Sequence, residues 1–122
     1  MRLCGQQAVW NYEEENGILT IQGVGAMEDY TEPEQVPWNS LMQEIKVVVI
    51  RDGITTVGDY AFAGCSNLQE VTLPGSVEIV GVFSFKGCTG LREIVIPEGV
   101  RVLASKAVSY THLRAHETRR HL

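Results

Sequence analysis

Three consecutive stretches of the chain fall into register at one fixed spacing, opening at Ile45, Leu68 and Leu91. Residues 45–67 read IKVVVIRDGITTVGDYAFAGCSN, residues 68–90 read LQEVTLPGSVEIVGVFSFKGCTG, and residues 91–107 open a third copy, LREIVIPEGVRVLASKA, that stops short. A unit this small cannot bury its own apolar face. Its neighbour must cover it, so a fixed period of this length points to a solenoid and away from folds built around one closed core.

Aligned by register, the apolar positions form columns. Ile45, Leu68 and Leu91 share one, Val48, Val71 and Ile94 a second, and Ile50, Leu73 and Ile96 a third. Ile54, Val77 and Val100 follow, then Val57, Val80 and Leu103, then Phe62 and Phe85. The spacing of two between Val48 and Ile50, repeated in each copy, predicts a strand with one buried face. Turn formers come next: Arg51-Asp52-Gly53, Pro74-Gly75-Ser76 and Pro97-Glu98-Gly99. A second short extended piece is expected at Thr55-Thr56-Val57 and Glu78-Ile79-Val80, then a helical turn at Asp59-Tyr60-Ala61-Phe62 with Asp59 as its cap. Gly64-Cys65 and Gly87-Cys88 bend the chain back toward the next strand.

Identical columns stack at roughly 4.8 Å per rung. Each buried aliphatic or aromatic side chain contributes about 1.5–3 kcal/mol, provided the neighbouring rung covers it. Two whole copies and a partial third are near the minimum for such an array. Residues 1–44 must therefore cap one end. Ala8–Tyr12 and Gly17–Ile21 read as a hairpin joined through Glu13-Glu14-Glu15-Asn16-Gly17, with Asn16-Gly17 as the turn signal. Trp38 to Glu44 suits one short helix, and Trp10, Trp38 and Met42 read as cap packing. Gly23-Val24-Gly25 lacks the helix and lysine of a phosphate loop, and the acidic stretch Glu28 to Glu34 lacks the ligand spacing of a calcium loop.

The run from Gly53-Ile54 through Gly58-Asp59-Tyr60-Ala61-Phe62-Ala63-Gly64-Cys65 resembles the BspA-type leucine-rich repeat of bacterial surface proteins, and residues 45–107 carry the resemblance. Cys4-Gly5, Trp10, Gly17 to Ile21, Gly23 to Met27, Asp29-Tyr30 and Pro37-Trp38 are similar to the leader unit that precedes such arrays. The resemblance implies a leucine-rich-repeat solenoid, mostly β with short helical turns, capped by a β-hairpin and a short helix. It also implies a secreted or surface-displayed binding or adhesion module with no catalytic residues and no cofactor. Arg51 stands where the family has proline, Val82-Phe83 replaces the pair seen as Asp59-Tyr60, and Ala104 replaces the glycine of Gly58 and Gly81.

Residues 108–122 break the register. The third copy calls for Phe at 108 and a Gly-Cys pair at 110 and 111, whereas Val108, Tyr110 and Thr111 stand there. The string from Val108 to Thr118 is similar to the direct translation of a sequencing-library transposon adapter, and residues 108–122 are set apart as a non-native tail following a truncated repeat. All three histidines, His112, His116 and His121, lie in it, so the His112, His116 and Glu117 spacing is not read as a metal site. Residues 1–107 hold 7 Lys and Arg against 14 Asp and Glu, an acidic balance that disfavours nucleic acid and anionic membranes as partners. No apolar run approaches a membrane span, and Met1-Arg2-Leu3 opens no signal peptide. A gene truncated at its 3′ end is expected to be truncated at its 5′ end too, which would make Met1 internal.

Without histidine before residue 108, no Ser-His-Asp or Cys-His set is available. Cys65 and Cys88 share a column, which allows either a small buried apolar role or a cross-rung disulfide, and Cys4 has no partner in the sequence. The expected function is recognition of a protein or cell-surface glycan outside the cell, the alternative being a passive spacer. Outward positions at the repeat starts, Lys46, Gln69, Glu70, Arg92 and Glu93, are the candidate interaction face. The shortened third repeat is expected to leave an apolar edge open to self-association.

Overall fold

The computed structural model describes residues 2–104 and, for the backbone alone, residues 114–117. Among these the strands run β1 (Ala8–Glu13), β2 (Ile18–Gly23), β3 (Gly25–Ala26), β4 (Val47–Ile50), β5 (Ile54–Val57), β6 (Glu70–Thr72), β7 (Ile79–Val80), β8 (Glu93–Ile96), β9 (Val102–Leu103) and β10 (Arg114–Glu117). One sheet has the order β1-β2-β4-β6, a second β3-β5-β7-β9, and β8 pairs with β10. All rung-to-rung pairing is parallel, and within the repeats it follows the columns read from the sequence: Val48 lies beside Val71, Val57 beside Val80, and Ile79 beside Val102. Only the β1–β2 hairpin is antiparallel among the named strands.

The hairpin closes where the turn signal stands. The Glu13 carboxylate accepts from the Asn16 backbone N–H at 2.6 Å and from its Nδ2 at 2.9 Å, and Gly17 takes φ 67°. The cap is a rung in its own right. β2 pairs with β4 in the first sheet and β3 with β5 in the second. The turn between β2 and β3 needs Gly23 and Gly25, at φ 126° and 93°, to carry the chain from one sheet to the other.

The columns are buried as rungs. Leu19, Val48, Val71 and Ile94 pack inward, as do Ile21, Ile50 and Ile96, with Leu73 half-buried against them. The aromatic column begins in the cap. Trp38 stacks on Phe62 and Phe62 on Phe85, each pair with ring centroids 5.5 Å apart. Trp10 meets Trp38 edge-on at 5.7 Å, and the Trp38 Nε1–H donates to the Ala61 carbonyl at 2.8 Å. The cap thus supplies the ring that a preceding repeat would have supplied.

Two local expectations are corrected. Residues 59–64 form tight turns and no helix. Tyr60 sits at φ 62° and Phe83 at φ 54°, in the left-handed region that interrupts a right-handed helix. The N–H groups of Tyr60, Phe62 and Gly64 instead donate to the carbonyls of Val82, Ser84 and Lys86 on the next rung. Nor does Asp59 cap its own segment: its Oδ1 accepts from the Val82 N–H at 2.8 Å, one rung on. The expected helix at Trp38 to Glu44 is a short 3₁₀ turn, Asn39–Leu41, preceded by another at Pro33–Gln35.

Most of residues 108–122 lies outside the described residues, including His112 and His121. Within that stretch β10 runs parallel to β8, with Arg114 opposite Glu93 and Glu117 opposite Ile96. Continuing the repeat would have set His116 opposite Glu93, so β10 pairs out of the repeat's register. No ladder joins β6 to β8.

Candidate interaction surface on the outer sheet face

Period-two alternation gives the first sheet an inner and an outer face. Register then sorts the outer side chains into rows that cross the strands. Glu13, Ile18, Val47 and Glu70 form one row, and Glu93 stands one repeat further on. Asn11, Thr20, Val49 and Thr72 form the next, continued by Val95. Ile18, Val47, Thr20 and Val49 are half-buried, and Val95 is 47% exposed. This face is an aliphatic and threonine stripe edged by carboxylates.

Of the residues expected here, Glu70 and Glu93 lie in the outer row, while Lys46, Gln69 and Arg92 stand just before the strands; all are exposed. The Lys46 carbonyl accepts from the N–H groups of both Gln69 (2.8 Å) and Glu70 (3.4 Å), which holds successive strand mouths together. Reading only the repeat starts passed over Ile18, Val47, Val49, Thr72 and Val95. The signal for them was the same alternation that assigned Val48 and Ile50 to the core.

Between β6 and β8 the outer face opens into a groove of about 530 Å³ lined by Gln69, Glu70, Thr72, Leu73, Glu93 and Val95. Val71 of the inner column reaches it too and is 9% exposed, against 0% for Val48. The Glu70 carboxylate makes no ion pair or hydrogen bond among the described residues. The ion pair formed there, Arg101 to Glu78 at 3.0 Å, is solvent-exposed and lies in the segment leading to the second sheet.

Among the described residues no group of three His, Cys, Asp or Glu side chains is placed to hold a metal. Cys4, Cys65 and Cys88 are buried thiols, none in a disulfide. Burial pushes the Cys4 and Cys88 thiols up to about 12 from 9.0, and raises Cys65 as well, with Cys88 beside it adding to the effect. Such thiols are neutral and poor nucleophiles at physiological pH. The Cys88 Sγ–H donates to the Phe62 carbonyl at 3.2 Å, a rung-to-rung contact. Among the described residues no helix is long and apolar enough to cross a membrane.

Parallel rungs, two sheets and a broad outer face define a repeat solenoid of the leucine-rich type, a fold that in general mediates interactions. The chain belongs to the BspA-type leucine-rich repeat family: the model of that repeat region, written for six copies, matches residues 40–121. Among solved structures, a leucine-rich repeat protein from Eubacterium ventriosum is similar at 22% identity and a TM-score of 0.55, over 95% of this chain and 43% of its own. A leucine-rich repeat protein from Bacteroides ovatus is similar at 19% identity and a TM-score of 0.46, over 92% of this chain and 40% of its own. The chain therefore spans less than half the length of either. No curated protein matches it.

Proposed function

We propose that this array is a recognition module of a secreted or surface-displayed protein, and that it binds a protein or a cell-surface glycan on its outer sheet face. The observation that carries the reading is the aliphatic stripe on that face, Ile18 and Val47 in one row and Val49 and Val95 in the next, left without a covering layer among the described residues. A spacer is better served by uniformly polar faces, since exposed aliphatic stripes invite contact. Membership of a repeat family whose fold mediates interactions supports the same reading.

The test is a binding screen. The purified chain is immobilised and exposed to a glycan array and to a panel of purified extracellular proteins. A partner that is lost when Val49→Arg and Val95→Arg are introduced together supports the proposal. If no partner is found, the spacer role is the one left; if partners bind the double variant equally well, the outer sheet face is not the binding surface.

A further inference from the structure

We propose that the groove between β6 and β8 receives an extended protein segment bearing a lysine or arginine two residues before an aliphatic side chain. The inference rests on the recognition reading above and gives the partner its chemistry. Three features of the groove carry it. The two strands that flank it share no hydrogen-bonded ladder, so the sheet face is open along their seam. One row crossing the seam is acidic, with Glu70 on β6 and Glu93 on β8. The other pairs Thr72 with the half-exposed Val95.

The spacing of the rows sets the motif. Residues two apart on a strand lie roughly 6.6 Å apart on one face, and an extended peptide repeats its own same-face side chains at that distance. A segment lying along the seam in the same direction as β6 and β8 puts residue i between the two glutamates and residue i+2 between the Thr72 methyl and Val95. The first position calls for a cation, and the Glu70 carboxylate has no competing partner among the described residues. The second calls for a branched aliphatic chain that covers Val95. A residue at i+1 points away and is unconstrained.

The experiment uses the whole 122-residue chain, ¹⁵N-labelled, titrated with the probe acetyl-Thr-Lys-Thr-Val-Thr-amide. The expected result is a saturable set of amide shifts confined to residues 69–73 and 93–95. Binding should weaken at least tenfold with Glu70→Lys, with Val95→Asp, and with the reordered probe acetyl-Thr-Lys-Val-Thr-Thr-amide, which sends its lysine and valine to opposite faces. Glu98→Lys, an equal change of net charge outside the groove, should leave binding unchanged. The proposal is overturned by absent shifts, by shifts elsewhere, by equal binding of the reordered probe, or by equal weakening with Glu98→Lys. It is also overturned if a chito-oligosaccharide shifts these residues and the peptide does not. A partner from the screen that tolerates Glu70→Lys but not Val49→Arg would sink the groove and leave the recognition reading standing.

Discussion

Ser84 stands where the preceding repeat has Ala61, and its fully buried hydroxyl finds no hydrogen-bond partner among the described residues. Burying an unsatisfied hydroxyl costs roughly 1–3 kcal/mol. Ser84→Ala should therefore raise stability by about 1 kcal/mol, seen as a higher urea midpoint with an unchanged slope. The thiols act through pH. Cys4 and Cys88 are pushed up to about 12 from 9.0, and Cys65 is raised as well. Above pH 9 the unfolded chain releases protons that the folded chain retains, so stability is full below that pH and falls as pH rises through the folded values. Each thiol contributes a slope of up to about 1.4 kcal/mol per pH unit. Urea midpoints measured from about pH 8 to about pH 10.5 should fall, and Cys65→Ala should flatten the fall. Gly81 shows a different constraint. A Cβ there would strike the Asp59 carboxylate, which crosses to the Val82 N–H. It would also strike the Asp59 backbone nitrogen at 2.7 Å and the Val57 carbonyl at 2.9 Å. Ala104, which stands in the place of glycine one rung later, has no structural explanation.

At the scale of elements, the bend from residue 58 to 64 is the instructive case. Asp followed by Tyr-Ala-Phe reads locally as a capped helical turn, because Asp caps well and Ala favours helix. The N–H groups at 60, 62 and 64 go to the next rung instead, and inter-rung pairing overrides the local preference. Asp29 and Asp59 brace this side of the array: the Asp29 Oδ1 accepts from the Asp59 N–H at 2.9 Å, and the Asp59 Oδ1 from the Val82 N–H at 2.8 Å. Hydrogen bonds to a charged acceptor contribute about 1.5–3 kcal/mol, so Asp59→Ala should destabilise by about that amount. Amide exchange should speed up most at Val82. Equal acceleration across all rungs would show a global loss and no local brace.

For the whole molecule, what matters is where the stack is closed and where it is open. Trp38 and the β1–β2 hairpin close the first rung. At the other end β8 is paired by β10, whereas β9 is the last described strand of its sheet and its Val102 is 44% exposed. The pairing of Arg114 with Glu93 departs from the repeat's register, although the family match runs to residue 121. We read β10 as a strand that covers β8 without continuing the repeat. Deleting residues 108–122 should uncover the outer edge of β8 and raise concentration-dependent association in light scattering relative to the whole chain. A deletion variant that stays monomeric at all concentrations would refute this.

The fixed offset that carries Ile45 to Leu68 and Leu68 to Leu91 was enough to establish the solenoid, its buried columns and the Gly-Cys bends, and Asn16-Gly17 was enough for the hairpin. Each of these depends on residue types at spacings that the chain itself displays. The aromatic column was half legible: Phe62 and Phe85 recur, but Trp38 joins them from an irregular cap whose chain length between strands differs from the repeat. The exposed residues at the repeat starts were legible as outward, whereas the groove beside them was not. A groove exists where two neighbouring strands fail to pair, and pairing is a property of backbone groups from different rungs that no column of side chains records. Alternation decides which way a residue faces. Only the packing of rung on rung decides whether the face it joins is sealed or open.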